Sequence, residues 1–343
     1  MKAGYGTTAF QWADQQVADC ACDYLKEKAT GDDDRPFAAV CSIWLPHCPF
    51  IAPKDLFEYY HNRVDVPEVE AEQPETVTRF RRHRDVLDLD AERVRVARAA
   101  YFGLVEFVDG LVGQVLDTLK KTGLADHTLV IYCSDHGEMA GEHGCWWKSN
   151  YYEGSAGVPL IARLPGVVPE GAVQDAVCNL VDIGVTLTDV AGGEPIRATA
   201  GRSLWPTLQG NHPVDWVDET YSEFVEAKYT GETQFPSRMV RSGKWKLWVY
   251  GDDEELAPSL FDLEADPDEV NDLAGDPAHQ DVVQDLLRKI YDGWDPKAVC
   301  EASLAATADH HMRSRWAQAV KPQGPDEVLA PPPEELEDDV VLV

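Results

Sequence analysis

The sequence predicts an α/β fold: a mostly parallel sheet sandwiched by helices, with a smaller C-terminal α+β subdomain. Two apolar runs of strand length, residues 37–44 and 128–133, flank a long stretch of helical periodicity. That order of elements is typical of a parallel sheet covered by helices. After about residue 215 the pattern changes to that of a β-hairpin, which indicates a separate unit. We predict an α/β domain over 1–215, the subdomain over 216–300 and an acidic, Pro-rich tail over 301–343.

Each predicted element has a local signal. The run 37–44 is short and apolar, so we expect a buried strand there. Apolar residues recur at helical spacing from Val94 to Leu119, and Gly123 fits the C-terminal stop of that helix. The remaining signals predict strands at 128–133, 158–162 and 260–263, a hairpin of 239–241 with 245–250, and a helix over 281–291.

The composition excludes several classes of partner. The 343 residues include 30 Lys and Arg against 61 Asp and Glu, which gives a formal net charge of −31. A surface this negative repels nucleic acids and anionic lipids, so we expect neither as a partner. The hydrophobic share of 44% is high enough for a packed core, which excludes a disordered acidic chain.

Location and redox state follow from what the sequence lacks. We find no apolar window as long as a membrane span and no apolar signal segment near Met1, so we expect a cytoplasmic protein with no membrane partner. The eight cysteines are scattered and form no paired C-x-x-C motifs. They predict neither a zinc knuckle nor a disulfide framework.

The densest group of reactive side chains lies in residues 134–148, directly after a predicted strand. Asp135 and His136 stand side by side and can ligate a divalent cation, and carboxylate oxygen suits calcium, magnesium or manganese. A cation beside Lys148 produces the local positive field that sulfate or phosphate needs. His47 follows the other predicted strand. Because ligands bind beyond the carboxyl ends of parallel strands, we expect these residues to converge.

Plainer interpretations of the same residues stay open. Asp-His-Gly is a common turn sequence, and taken alone it predicts a turn rather than a metal site. Lys148 alone is most often a solvated charge, and His47 between two prolines is equally suited to a rigid loop. The functional interpretation gains from co-occurrence, because a strand end, several glycines and groups of both charges lie together.

The stretch Ser134–Lys148, followed by Tyr152–Ile161, resembles the sulfatases of the alkaline phosphatase superfamily, in particular choline-sulfatase-like and arylsulfatase-like members. His47 within Leu45–Phe50 matches a second landmark of that family, and residues 260–273 match its C-terminal subdomain. The resemblance implies an alkaline-phosphatase-like fold and a sulfuric ester hydrolase that acts on a small sulfated organic substrate. It leaves room for a homo-oligomer.

The resemblance also implies roles for four residues. Asp135 and His136 correspond to ligands of a divalent metal, for which calcium is expected and magnesium or manganese are alternatives. Lys148 corresponds to the lysine that contacts the sulfate and the leaving oxygen. His47 corresponds to the histidine that binds sulfate and protonates the leaving group, which is chemically sensible because cleavage places charge on the bridging oxygen.

Upstream, the sequence departs from the family pattern. Family members carry paired Asp ligands near the N-terminus and a Cys or Ser motif that yields the formylglycine nucleophile. None of the eight cysteines lies in that motif, so we assign no nucleophile, and Gly157 stands where many members have Arg. We therefore expect an N-terminally truncated sulfatase. The alternatives are a phosphonate or phosphate ester hydrolase of the same superfamily, or a catalytically inactive, anion-binding relative.

Truncation has a structural consequence in this interpretation. The absent N-terminal residues supply central strands in the family, so the sheet is left with exposed edges that favour aggregation. We expect the isolated chain to be poorly soluble or partly disordered near residues 1–35.

Overall fold

A computed structural model of the chain describes residues 1–211, 213–226, 235–251, 256–321 and 341–342. The helices in these ranges are α1 (Ala9–Thr30), α2 (Lys54–His61), α3 (Glu75–His83), α4 (Ala91–Lys121), α5 (Glu153–Ala156), α6 (Val181–Val190), α7 (Trp205–Leu208), α8 (Gln280–Tyr291) and α9 (Pro296–Val320). The strands are β1 (Ala3–Tyr5), β2 (Phe50–Ala52), β3 (Val130–Cys133), β4 (Leu160–Arg163), β5 (Glu219–Glu226), β6 (Phe235–Ser242), β7 (Trp245–Tyr250), β8 (Ser259–Asp262) and β9 (Val341–Leu342).

Helix α4 lies at the centre of the first core, and the predicted helix is confirmed. The carboxylate of Asp90 caps its start by accepting from the backbone N of Arg93 at 2.9 Å, and Gly123, with φ of 76°, follows its end. The buried face of α4, which includes Ala97 and Leu104, packs against α1, α2 and β2.

Length and composition alone would allow α4 to cross a membrane, which corrects our expectation that no such window exists. In the structure this helix forms the inner layer of the first core. Its fully buried residues, among them Ala99 and Ala100, contact other parts of the chain.

Three small sheets carry the strands of the described residues. β1 pairs in parallel with β2 and antiparallel with β9. β3 and β4 form an antiparallel pair in which Ile131 lies opposite Ala162. The strands β5, β6, β7 and β8 form an antiparallel sheet in sequence order.

The predicted buried strand over 37–44 is wrong. These residues are extended but pair with none of the strands in the described chain, and most are exposed, with Val40 at 91% and Trp44 at 65%. Helix α1 holds the segment at both ends, where Phe37 contacts Tyr24 and Trp44 stacks on Phe10. The apolar run therefore has the composition of a core strand but not the neighbours that would bury it.

The strand predicted over 128–133 is confirmed in position as β3, but it is not buried. Cys133 and Tyr132 are exposed, the latter at 39%. β4 covers one edge of β3, so the two strands stand as an open ribbon beside the main core.

Partial disorder near residues 1–35 is also a wrong expectation, because β1 and the 22-residue helix α1 lie there. A capping box at Thr8 and Gln11 begins α1, and Gln11 also donates from its side chain to the carbonyl oxygen of Ile51 at 2.8 Å. These bonds fix the helix to β2.

The C-terminal elements agree with prediction in the hairpin, the added strand and the helix. β6 and β7 turn at Gly243, whose φ is 56°, β8 adds an edge, and Val283, Leu286 and Ile290 of α8 pack in a core with Leu247 and Leu260. Helix α9 begins at Pro296 and occupies residues 301–320 of the predicted tail. The acidic, Pro-rich section of that tail, 322–340, lies outside the described residues.

Candidate active site

The first site loop, residues 45–49, follows the extended segment and carries His47. The buried carboxylate of Asp14, on α1, fixes the start of this loop by accepting from the backbone N of Trp44 at 3.0 Å and of Leu45 at 2.9 Å. Burial raises the pKa of Asp14, and the two backbone donors oppose that rise. The loop that presents His47 is thus anchored to a helix far upstream.

His47 and Lys148 are in direct contact. The Lys148 Nζ lies 2.6 Å from His47 Nε2, and His47 Nδ1 lies 2.7 Å from the carbonyl oxygen of Cys48. Because a carbonyl oxygen only accepts, Nδ1 carries a proton, and Nε2 of the neutral ring accepts from the lysine ammonium. The Lys148 ammonium and the His47 imidazole therefore lie side by side in the site.

The second site loop, residues 134–152 between β3 and α5, holds Lys148 through the residues on either side of it. Trp147 and Ser149 both have left-handed backbones, with φ of 65° and 79°, which non-glycine residues adopt at a cost of about 1–3 kcal/mol. Glu138 Oε1 compensates by accepting from the backbone N of Trp147 at 2.5 Å and of Ala140 at 3.1 Å. The Glu138 carboxylate therefore connects Ala140 to Trp147, the residue directly before Lys148.

Glu138 is itself part of the electrostatics of the site. Burial raises its pKa, while the two backbone donors and, to a smaller extent, the neighbouring side chains of Lys148 and His136 oppose the rise. The sequence had placed Glu138 in the polar cluster without a role. Its supporting contacts, like those of Asp14, join residues that sequence spacing does not connect.

Asp135 and His136 form a turn directly after β3. The Ser134 hydroxyl donates to the carbonyl oxygen of His136 at 2.7 Å, and the backbone N of His136 donates to Asp135 Oδ1 at 3.0 Å. His136 Nδ1 lies 2.8 Å from the carbonyl oxygen of Gly137, so Nδ1 donates and Nε2 is left as the acceptor nitrogen. Nε2 lies 3.6 Å from Asp135 Oδ2, and the Asp135 side chain is 85% exposed.

The two loops converge, as the sequence predicts. The ring centroids of His47 and His136 are 6.4 Å apart, so the four predicted residues gather in one place: His47, Lys148 and His136 at its centre and Asp135 on its solvent side. The Asp135–His136 turn, a lysine and a second imidazole thus lie close together.

His143, which the sequence left without a role, lies outside this group. Its ring stacks on Tyr152 at 3.9 Å, and its Nδ1 is 3.0 Å from Glu70 Oε1. The carbonyl oxygen of His143 accepts from the Gln73 side chain at 2.8 Å. These buried contacts give it a packing role in the second loop.

Asp135 and His136 fit part of a cation shell. The hydrogen bond from Nδ1 to a backbone carbonyl orients Nε2 outward, which is the usual arrangement of a metal-bound imidazole. An exposed carboxylate beside it supplies hard oxygen. No group of three or more His, Cys, Asp or Glu suited to a metal occurs among the described residues, so these two side chains would need further ligands.

Cys48 lies beside His47 in the first site loop. Its Sγ is 3.6 Å from His47 Nδ1, and burial raises the pKa of the thiol. A raised pKa makes this thiol a weaker nucleophile at neutral pH.

Comparison with known proteins identifies the family. A family model described as Sulfatase matches residues 6–193, more than half of the chain, and one described as N-sulphoglucosamine sulphohydrolase, C-terminal, matches residues 141–294. The chain belongs to the sulfatase family. The first match spans both site loops of this sulfatase-family chain, and the second begins inside the loop that carries Lys148.

Curated relatives support this membership. The chain is 38% identical to the choline-sulfatase of Rhizobium meliloti (strain 1021) over 278 residues, which are 77% of this chain and 52% of that protein. It is 32% identical over 295 residues to the multifunctional alkaline phosphatase superfamily protein PehA of Trinickia caryophylli, covering 78% of this chain and 57% of that one. The chain thus spans about half the length of the curated relatives it matches.

Solved structures confirm the alkaline-phosphatase-like α/β fold with its C-terminal subdomain, although among the described strands only β1 and β2 pair in parallel, where we predicted a mostly parallel sheet. A putative sulfatase from Bacteroides thetaiotaomicron VPI-5482 superposes with a TM-score of 0.69 at 22% identity, covering 91% of this chain and 68% of that one. The phosphonate monoester hydrolase SpPMH from Silicibacter pomeroyi gives 0.65 at 28% identity, covering 80% and 59%. The α/β fold with its C-terminal subdomain is therefore that of the alkaline-phosphatase-like sulfatases.

Proposed function

We propose that the protein is a sulfuric ester hydrolase that acts on a small sulfated organic substrate with the help of a divalent cation. The observation that carries the proposal is the contact of Lys148 Nζ with His47 Nε2 at 2.6 Å beside the His136 ring. In a chain of net charge −31, this places one cation beside two imidazoles that can donate to an anion once they are protonated. The relationship to a choline-sulfatase supports sulfate esters as the substrate class.

Each residue has a part that its chemistry allows. The Lys148 ammonium binds the sulfate and offsets charge on the bridging oxygen as the ester bond breaks. His47 binds the same group and, once protonated, delivers a proton to the leaving oxygen. Its Nδ1–H bond to the Cys48 carbonyl leaves Nε2, which lies 2.6 Å from Lys148 Nζ, as the nitrogen that would carry this proton.

Asp135 and His136 would hold the cation, for which we propose calcium because a carboxylate oxygen supplies one of the two ligands. A bound cation would add positive charge where the sulfate oxygens lie. We assign no nucleophile, and the roles that we propose here are confined to anion binding, leaving-group protonation and cation binding.

A phosphonate or phosphate ester hydrolase is the second candidate. The likeness to SpPMH at 28% identity favours it, and so does the relative PehA. Both chemistries need a tetrahedral anion site and a proton for the leaving group, so the described geometry suits either.

Turnover and binding measured on one sample distinguish the candidates. In protein that also carries a nucleophile, we expect hydrolysis of nitrophenyl sulfate to exceed that of a phenyl phosphonate monoester, to fall on chelation and to recover with calcium. Faster phosphonate hydrolysis would favour the second candidate. Calorimetric binding of sulfate without turnover of either ester would show an inactive, anion-binding relative.

A further inference from the structure

A buried ion cluster joins the C-terminal sheet to the active-site loops. Lys246 on β7 is fully buried, and its Nζ lies 2.7 Å from Glu153 Oε1 and 2.7 Å from Glu269 Oε1. Arg241 on β6 approaches Glu153 Oε2 at 3.7 Å. Two cations thus face two carboxylates at the junction, and the cluster is electrically balanced.

The geometry of Glu269 is specific to this cluster. Its side chain is 2% exposed and its backbone is left-handed, with φ of 53°. Its second oxygen, Oε2, accepts from the backbone N of Glu153 at 2.5 Å. One carboxylate therefore binds both the Lys246 ammonium and the first residue of helix α5, at a backbone conformation that a non-glycine residue adopts only when its surroundings impose it.

The charges of the cluster depend on one another. Burial raises the pKa of Glu269, and Lys246 opposes that rise. Burial likewise disfavours the charged form of Glu153, but Lys246 and Arg241 outweigh it, so the pKa of Glu153 is lowered. Removal of Lys246 leaves Glu269 as an unpaired buried carboxylate, which is strongly unfavourable.

Helix α5 connects the ion cluster to the active-site turn through backbone contacts. The backbone N of Gly137 donates to the carbonyl oxygen of Ser155 at 2.8 Å. The two backbones touch, because a Cβ at Gly137 would lie 2.2 Å from the carbonyl oxygen of Gly154. The carbonyl oxygen of Gly137 in turn accepts from His136 Nδ1 at 2.8 Å. A continuous series of contacts leads from Lys246 to the His136 ring.

We propose that Lys246 and Glu269 are positioning residues that fix the orientation and tautomer of His136 through Glu153 and helix α5. The C-terminal subdomain thereby sets the geometry of a site whose reactive residues all lie in the first domain. The chemical role of His136 rests on the proposed function, whereas its positioning does not.

Lys246→Met tests this, since methionine keeps the length of the side chain and removes its charge. The readout is the ring ¹⁵N spectrum of His136 in the full chain. We expect a single Nδ1–H tautomer in the wild type and an average of both tautomers in the variant. The ring of His61, which pairs with Glu92 on a distant surface, should not change and reports that the chain is folded.

Lys244→Met is the matched control. Lys244 begins the same hairpin and pairs with Asp262 at 2.6 Å, but neither residue contacts helix α5 through a hydrogen bond or an ion pair. We expect it to leave the His136 tautomer unchanged. An equal change in both variants, or none in a folded Lys246→Met, would refute the proposal.

A double variant tests the proposal in the case that Lys246→Met does not fold. Lys246→Met with Glu269→Gln leaves no charge unpaired at the buried end of the cluster. We therefore expect this variant to fold and still to show an average of both His136 tautomers. If it folds with the wild-type tautomer, or does not fold at all, the cluster is structural only and the proposal is wrong. Because the readout is spectroscopic, each of these results stands whether or not the protein hydrolyses sulfate esters.

Discussion

At the scale of single residues, buried carboxylates that accept backbone N–H groups hold the site loops. Asp14 binds the start of the His47 loop, and Glu138 closes the Lys148 loop. Neither residue touches the other side of the site, yet each places one of the two groups that meet there. Local rigidity of this kind is what lets an imidazole and an ammonium stay in contact on loops.

Asp14 should make stability depend on pH. Its pKa is raised by burial from the ordinary value of 3.8, so the folded state holds its proton more tightly than the unfolded state. Wild-type stability should therefore fall, relative to Asp14→Asn, as pH rises from about 3.8 through the raised pKa. Urea unfolding of both proteins across this range measures the difference. Parallel stability curves would contradict it.

At the scale of helices and strands, some elements could be predicted from the sequence. The helix α4, the hairpin β6–β7 and the helix α8 followed from periodicity and turn residues, because those signals are local. His47 and His136 do lie close together, but not for the predicted reason, because the segment before His47 is not a strand and β3 pairs only with β4 among the described residues. The buried strand over 37–44 was wrong, because an apolar run shows what a segment can pack against but not whether neighbours are present.

The same sequence reasoning could not find the supporting contacts. Lys246, Glu153 and Glu269 are far apart in the chain. In the sequence, each of them is most simply interpreted as a charged side chain in solvent. Their pairing depends on how the C-terminal sheet packs on the second site loop, which no local pattern encodes.

The exposed segment 37–44 should promote self-association. An exposed apolar segment that lies outside any described sheet can pair with the edge of another chain. We expect Val40→Lys to reduce concentration-dependent association in sedimentation velocity while it changes the free energy of unfolding by no more than about 0.5 kcal/mol. Val173→Lys, at a similarly exposed position, is the control. Equal association of the wild type and both variants would contradict this expectation.

At the scale of the whole molecule, the two parts share a core. Met139, Tyr151 and Tyr152 of the second site loop pack with Met239, Trp248 and Phe261 of the C-terminal sheet. The Tyr151 hydroxyl also bonds the Ser237 hydroxyl at 2.8 Å. The C-terminal sheet therefore packs against the second site loop in a shared core, so it is not an independent unit.

Trp248→Ala should show this coupling. Trp248 is 2% exposed, and its truncation leaves a cavity between the two parts, with an expected loss of about 3–5 kcal/mol of stability. Calorimetry should still record one transition, at a lower temperature. Trp316→Ala on α9, at 56% exposure, should have little effect. A separate low-temperature transition for the sheet would contradict a shared core.

The central claim is that Lys148, His47 and the neighbouring Asp135–His136 turn together bind one tetrahedral anion. Calorimetric titration of the chain with sulfate in the presence of calcium tests it most directly, with Lys148→Met as the variant and Lys121→Met, an exposed lysine on α4, as the control. We predict that Lys148→Met weakens sulfate binding at least about tenfold, as expected for loss of a charged hydrogen bond of roughly 1.5–3 kcal/mol, and that Lys121→Met does not. Equal affinity of all three proteins for sulfate would contradict the claim.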